Sequence, residues 1–262
     1  MSATGVILRL AGRAAEGLLD LVLPDVCAAC HAAPADSLNL CEACSLRLLS
    51  LVSLPYCVRC GQTLAPGRAE LEDGCPNCPK PLGRFDRVVR LGPYADPLKV
   101  IVRELKYRRQ DRMRRRLGAM LARSAAQRIA EARPELVLAV PMHWRRRLVR
   151  GYDHARVLGG AVAAELHLPL GDELIRVRAT PPQAHLPRSR RLENVRGAFI
   201  VRDPAGVAGA RILLVDDVTT TGATADEASR TLLRAGASSV TLAVVCKAEP
   251  PTAYADHLRG TS

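Results

Sequence analysis

The chain has 262 residues, with 38 Lys or Arg against 26 Asp or Glu, a formal net charge of +12, and 48% hydrophobic residues. That length supports one sizeable core and a small second module, and no apolar stretch approaches the roughly 18 residues of a membrane span. Aromatics are scarce, eight in all, so base-stacking platforms are not expected and any nucleic acid should be held mainly through its phosphates.

Residues 1–23 include a mildly apolar segment, Val6–Leu23, interrupted by Arg9, Arg13, Glu16 and Asp20. The charges break the apolar centre that a signal peptide needs. Val6, Leu10, Ala14 and Leu18 instead predict an amphipathic helix. Residues 24–83 carry eight of the nine cysteines, with many Pro and Gly. From 84 to 262 the pattern is that of an α/β domain. Arg87–Leu91 reads as a strand, Asp96–Arg109 and Asp111–Arg133 as helices, Glu135–Pro141 as a buried strand and Asp153–Leu166 as a helix. Arg211–Val215 and Val240–Cys246 read as buried strands around a helix, Ala225–Ala235, that Gly236 stops. Continuous apolar strands alternating with helices predict a mostly parallel sheet flanked by helices. Ala179–Leu192 has no periodicity and reads as a long loop over the sheet.

The cysteines form four C-x2-C pairs, Cys27/Cys30, Cys41/Cys44, Cys57/Cys60 and Cys75/Cys78, separated by ten, twelve and fourteen residues. Two thiolates at this spacing sit on one tight turn, and two turns complete a tetrahedral zinc site. Eight cysteines make two structural zinc sites. Sequential pairing of the knuckles is the simplest arrangement, and a cross-braced one fits the spacing as well. Disulfides are the competing reading, but nothing points to export. Few apolar residues lie here, so metal should supply the folding energy. Cys246, alone on a predicted strand, reads as a small core residue.

The run Ile212–Thr224 carries the most specific signal: a buried strand, then Asp216 and Asp217, then Val218, Thr219, Thr220, Thr221, Gly222, Ala223 and Thr224, then a helix. Thr224 and Glu227 fit a capping box and place the helix start there. Backbone N–H groups at a helix N-terminus attract phosphate, and threonine hydroxyls add donors. Carboxylates accept from vicinal sugar hydroxyls. The pattern predicts a ribose held by Asp216 and Asp217 and its 5-phosphate held by Thr219–Thr224.

This segment resembles the motif with which type I phosphoribosyltransferases bind phosphoribosyl diphosphate (PRPP). Tyr94, the run Leu105-Lys106-Tyr107, the stretch Val140-Pro141-Met142 with Arg147 and Arg150-Gly151-Tyr152-Asp153-His154-Ala155, and Thr180, Gln183, Arg191, Asn194, Val195, Ala198 and Phe199 extend the likeness to the ComF family, whose double zinc ribbon the four knuckles also match. The resemblance covers about residues 25–250; His154 stands where many members carry Gln. It implies a phosphoribosyltransferase-type sheet with a hood over its C-terminal edge. It also implies a cytoplasmic role in natural transformation and use of external DNA, acting on incoming single strands, with a DNA-uptake helicase or channel as the expected protein partner.

In that fold a second loop, here Pro141–Arg150, grips diphosphate. Met142, His143, Arg147 and Arg150, with Lys106, are the candidate diphosphate residues, since arginine forks suit diphosphate oxygens; a solvated basic turn is the bland alternative. Arg191 and Asn194 close the long loop and are candidate hood residues. Mg2+ would bridge ribose hydroxyls and diphosphate. No residue stands out as catalytic, and no base-recognition segment follows Cys246-Lys247-Ala248-Glu249-Pro250. Two roles remain: a DNA-handling protein with PRPP or ribose 5-phosphate as ligand, or a phosphoribosyltransferase of nucleoside metabolism with an unidentified acceptor. Twelve Arg or Lys against four Asp or Glu between Arg84 and Arg116, and a second cluster at Arg145, Arg146, Arg147 and Arg150, favour the first. A compositional bias toward arginine is the competing account of that charge.

Overall fold

The computed structural model describes residues 26–32, 40–68, 74–107, 111–144, 153–181, 187 and 190–254. The predicted N-terminal helix and the cluster 145–150 lie outside the described residues. Among those described, no helix is long and apolar enough to cross a membrane.

Helix α1 (Glu42–Val52) belongs to the cysteine-rich segment. There follow β1 (Arg87–Pro93), α2 (Leu98–Tyr107), α3 (Asp111–Ser124), α4 (Ala126–Ala132), β2 (Leu136–Ala139) and α5 (His154–Leu166). A short strand β3 (Leu174–Arg176), helix α6 (Arg191–Val195) and strand β4 (Phe199–Val201) precede the final unit of β5 (Arg211–Thr219), α7 (Ala223–Arg234) and β6 (Ser239–Lys247).

The central sheet is parallel throughout, in the order β1-β6-β5-β2. Alternate residues feed two cores, as the pleat requires. Val89, Leu91, Val137, Leu213, Val215, Ala243 and Val245 pack with α2, α3 and α5. Val88, Leu136, Leu138, Ile212, Leu214, Leu242 and Val244 pack with α7, with Val195 of α6 and with Phe199 of β4. A sheet covered on both faces explains its near-continuous apolar strands. The β3–β4 hairpin is antiparallel and separate, pairing Leu174 with Val201 and Arg176 with Phe199.

Three boundaries differ from expectation. The predicted helix Asp111–Arg133 is two helices, because Ala125 leaves helical geometry (φ −105°, ψ 12°). Leu121, Ala125 and Ile129 are all buried, so the apolar period runs through the break and hides it. Strand β5 does not end at Val215 but runs through both aspartates, since β6 keeps pairing beside it (Asp216 with Val244, Thr219 with Lys247). Helix α7 begins at Ala223, capped by Gly222 at φ +83° with no side-chain cap. The expected capping box does not form: Glu227 turns away to the Gly197 N–H at 2.6 Å and to Arg230.

The edge strand β1 is shielded from further pairing. Its Val88 N–H donates to Val58 O at 2.6 Å, inside the third cysteine knuckle, and α1 packs beside it.

Candidate functional site

The cysteine sulfurs gather into two groups, Cys27, Cys30, Cys41 and Cys44, and Cys57, Cys60, Cys75 and Cys78, each with all sulfurs within 4.8 Å of one another. The knuckles therefore pair sequentially. Nearest sulfurs lie 3.5 Å apart for Cys30 and Cys41, 3.7 Å for Cys57 and Cys78 and for Cys60 and Cys75, and 3.8 Å for Cys75 and Cys78. Four thiolates at 2.3 Å from one ion stand about 3.8 Å apart, so both groups fit tetrahedral zinc. Backbone geometry prepares the turns: Gly61 N–H donates to Cys57 O at 2.7 Å and His31 N–H to Cys27 O at 2.8 Å. The hydrogen bond from Cys60 holds the Cys57 thiol far below its ordinary range and pushes Cys60 up in turn.

The predicted phosphate loop lies at the C-terminal end of β5. Asp216, Asp217, Thr219, Thr220, Gly222 and Thr224 line a cavity of about 190 Å³ together with Arg191. Each aspartate braces the next peptide: Asp217 N–H donates to Asp216 Oδ1 at 2.8 Å, and Val218 N–H to Asp217 Oδ1 at 2.7 Å. Thr221 faces the other way, into a neighbouring cavity of similar size that it and Thr220 share with Cys60, Gln62, Asn77 and Lys247. The second cysteine group therefore adjoins the phosphate loop.

Two cations hold that loop from either side. Arg191 Nη1 donates to Thr220 Oγ1 at 2.8 Å, which places the predicted hood arginine in the cavity. The buried Lys247 donates its Nζ to Thr220 O. Asn194, its predicted companion, instead donates to Pro181 O at 3.2 Å and stays out of the cavity lining. Of the diphosphate candidates, His143 is buried and Met142 lines a separate, larger cavity beside β2. Arg147 and Arg150, and the side chain of Lys106, lie outside the described residues.

Sequence reasoning missed a buried network behind the loop. Arg90 and Glu249 form an ion pair at 3.0 Å with side chains only 1% exposed. Glu249 also accepts from Thr63 N–H at 2.7 Å, Arg90 donates to Thr63 Oγ1 at 2.7 Å, and the guanidinium lies 5.0 Å over the Tyr56 ring. Burial pushes the Arg90 pKa down, and the Glu249 carboxylate pulls it back up. The available signal was a Lys and a Glu directly after an apolar strand, where solvent-exposed charge is the usual reading. Arg114 is a further departure. Assigned with its neighbours to a surface patch, it is 1% exposed, donates to Leu105 O, and lines a small pocket with His154 and Asp217.

A parallel sheet ending in paired acids and a hydroxyl-rich turn at a helix N-terminus, joined to two four-cysteine groups, defines a phosphoribosyltransferase-type domain carrying a double zinc ribbon. Residues 153–258 match the phosphoribosyl transferase domain, and residues 18–79 match the double zinc ribbon domain. The chain is 34% identical over 237 residues to the DNA utilization protein YhgH of Salmonella typhi, covering 87% of this chain and 99% of that one. It is 31% identical over 207 residues to competence protein F of Haemophilus influenzae, covering 77% and 87%. The chain belongs to the ComF family. Among solved structures, a glutamine PRPP amidotransferase from B. subtilis overlaps 55% of this chain and 30% of its own at 23% identity and a TM-score of 0.38, a likeness too slight to carry any argument.

Proposed function

We propose that this protein binds PRPP or ribose 5-phosphate, with Mg2+, in the Asp216–Thr224 cavity, and that it handles incoming single-stranded DNA in the cytoplasm during natural transformation or DNA utilisation. One observation carries the ligand: two carboxylates, three threonines or their backbone, the start of α7 and the Arg191 guanidinium converge on one cavity. The acids suit ribose hydroxyls, and the helix start and arginine suit phosphate. The names of the relatives, DNA utilization protein and competence protein F, support the DNA role.

Calorimetry with PRPP and Mg2+ tests the ligand. The wild type should bind, and Asp216→Asn/Asp217→Asn should bind more weakly or not at all. Equal affinity of the two proteins would remove the acids from the site and the reading with them.

A further inference from the structure

The second cavity, about 420 Å³, lies where β2 ends, between the start of α5 and the β3–β4 hairpin. That volume is within the usual range for small-molecule sites. It shares no lining residue with the cavity at Asp216–Thr224. Both nevertheless open from the same end of the sheet, since Ala139 pairs with Val215 and Val140 N–H donates to Val215 O at 2.8 Å.

Its floor is apolar, made by Leu138, Met142 and Leu174, and Trp144 forms part of its wall. Trp144 is 54% exposed, in a chain with one tryptophan. The buried His143 ring backs the indole at 5.6 Å. Three arginines complete the lining. Arg176 is fixed, donating to Thr180 Oγ1 and lying 5.3 Å over the Phe199 ring. Arg156 is exposed at the start of α5, next to an Asp153 whose carboxylate already accepts from Met142 N–H and Arg156 N–H. Arg202 pairs with Asp172 at 3.6 Å, and both side chains are more than 60% exposed, so this pair is weak and open to exchange for another anion.

An apolar floor, an indole and the exposed guanidinium groups of Arg156 and Arg202 together fit a planar heteroaromatic ring that carries a negative charge. We propose that this cavity is a nucleotide subsite, in which the Trp144 indole stacks on a nucleobase and Arg156 and Arg202 bind the attached phosphate. This goes beyond the ribose phosphate reading and does not depend on Asp216 or Asp217. The nucleobase comes either from a free nucleotide or from a single strand, and the chemistry of recognition is the same.

Because Trp144 is the sole tryptophan, its fluorescence reports on this cavity alone. The zinc-loaded full chain is titrated with dAMP, with ribose 5-phosphate, with a single-stranded oligonucleotide, and with the same strand made abasic. Saturable quenching by dAMP or by the intact strand, and none by the two ligands without a base, is expected. Quenching by dAMP identifies a free-nucleotide site, and quenching by the strand alone identifies a strand-binding one. No quenching by either overturns the proposal. So does quenching that persists unchanged in Arg156→Ala/Arg202→Ala, since it would then be collisional. By calorimetry, Trp144→Ala should weaken binding about tenfold or more while Trp144→Phe retains most of it, as expected for stacking; equal affinities for wild type and Trp144→Ala overturn the assignment. The Asp216→Asn/Asp217→Asn protein should keep the quench, so failure of the ribose phosphate site and failure of this one are read separately.

Discussion

Glu249 accepts the backbone N–H of Thr63 at 2.7 Å, and through that contact the end of β6 is fastened to the second cysteine group. Two residues earlier on the same segment, Lys247 reaches the carbonyl of Thr220 in the phosphate loop. One short stretch of chain thus braces a candidate zinc site on one side and the candidate ligand site on the other.

Removing Glu249 should cost stability because it strands Arg90. Glu249→Ala leaves a buried guanidinium without its carboxylate, and loss of one member of such a pair costs about 3–5 kcal/mol. The double variant Arg90→Met/Glu249→Met should recover most of that loss, because no buried charge then remains. Denaturant melts of the three proteins check this, and a double variant no more stable than Glu249→Ala would contradict it.

Metal analysis should find two zinc ions per chain, one for each four-cysteine group. The groups share no ligand, so Cys44→Ala should reduce the content to one zinc and leave the second site filled. Cys60→Ala should empty the other site and, because Cys60 and Thr220 line one cavity, should also weaken binding of PRPP. The pairing of that second effect with Cys60→Ala, and its absence with Cys44→Ala, is what a titration of both variants should display.

How far the sequence reaches depends on whether a feature repeats locally. The four strands of the central sheet and the helices α2, α5 and α7 were legible because apolar runs and a 3.6-residue period are written in neighbouring residues, as is the acid-acid-threonine turn between β5 and α7; α1 and the short α6 were not read. The sequential pairing of the knuckles was one of two open arrangements, since spacing fixes each turn but not which turns meet. The hairpin was missed because β3 and β4 have three residues each and are held by partners far apart in sequence. Arg90 and Arg114 read as surface charge because burial of a cation depends on distant partners, Glu249 for one and the Leu105 carbonyl for the other. The Trp144 cavity was invisible for the same reason, being assembled from β2, α5 and the hairpin.

Arg191→Ala should weaken PRPP binding. It removes a charged donor 2.8 Å from Thr220 Oγ1, and a hydrogen bond to a charged group contributes about 1.5–3 kcal/mol. Asn194→Ala should have little effect on affinity, because its side chain serves the Pro181 carbonyl. Comparable losses in the two variants would show that the loop acts as a whole and not through Arg191.

Glu227 joins α7 to the turn between α6 and β4 through Gly197, and its acid strength should appear in the pH dependence of folding. Burial alone would raise its pKa, but the Arg230 guanidinium and the Gly197 N–H hold it below the ordinary glutamate range. A depressed acid stabilises the fold above its unfolded pKa, near 4.3, and that stabilisation is lost as pH falls through the lower folded value. Glu227→Gln should therefore lower stability at neutral pH and flatten the acid limb of the stability profile. An unchanged acid limb would assign the pH dependence to other carboxylates.

Single-stranded DNA should bind without sequence preference, and log affinity should fall linearly with log salt at about −0.7 per contacted phosphate. The residues to test are the exposed ones. Arg84, Arg103 and Arg115 are on the surface, whereas Arg90 and Arg114 are 2% and 1% exposed and cannot reach a strand. Arg84→Glu/Arg103→Glu/Arg115→Glu should lower both affinity and salt slope while PRPP binding persists. Arg114→Glu should act differently: it places a carboxylate in the pocket that Asp217 and His154 line, so it should destabilise the fold and impair PRPP binding together. Strand titrations at several salt concentrations, with and without PRPP, separate these outcomes. Binding that is flat in salt, or absent at low salt, would return the exposed arginines to the role of a solvated surface.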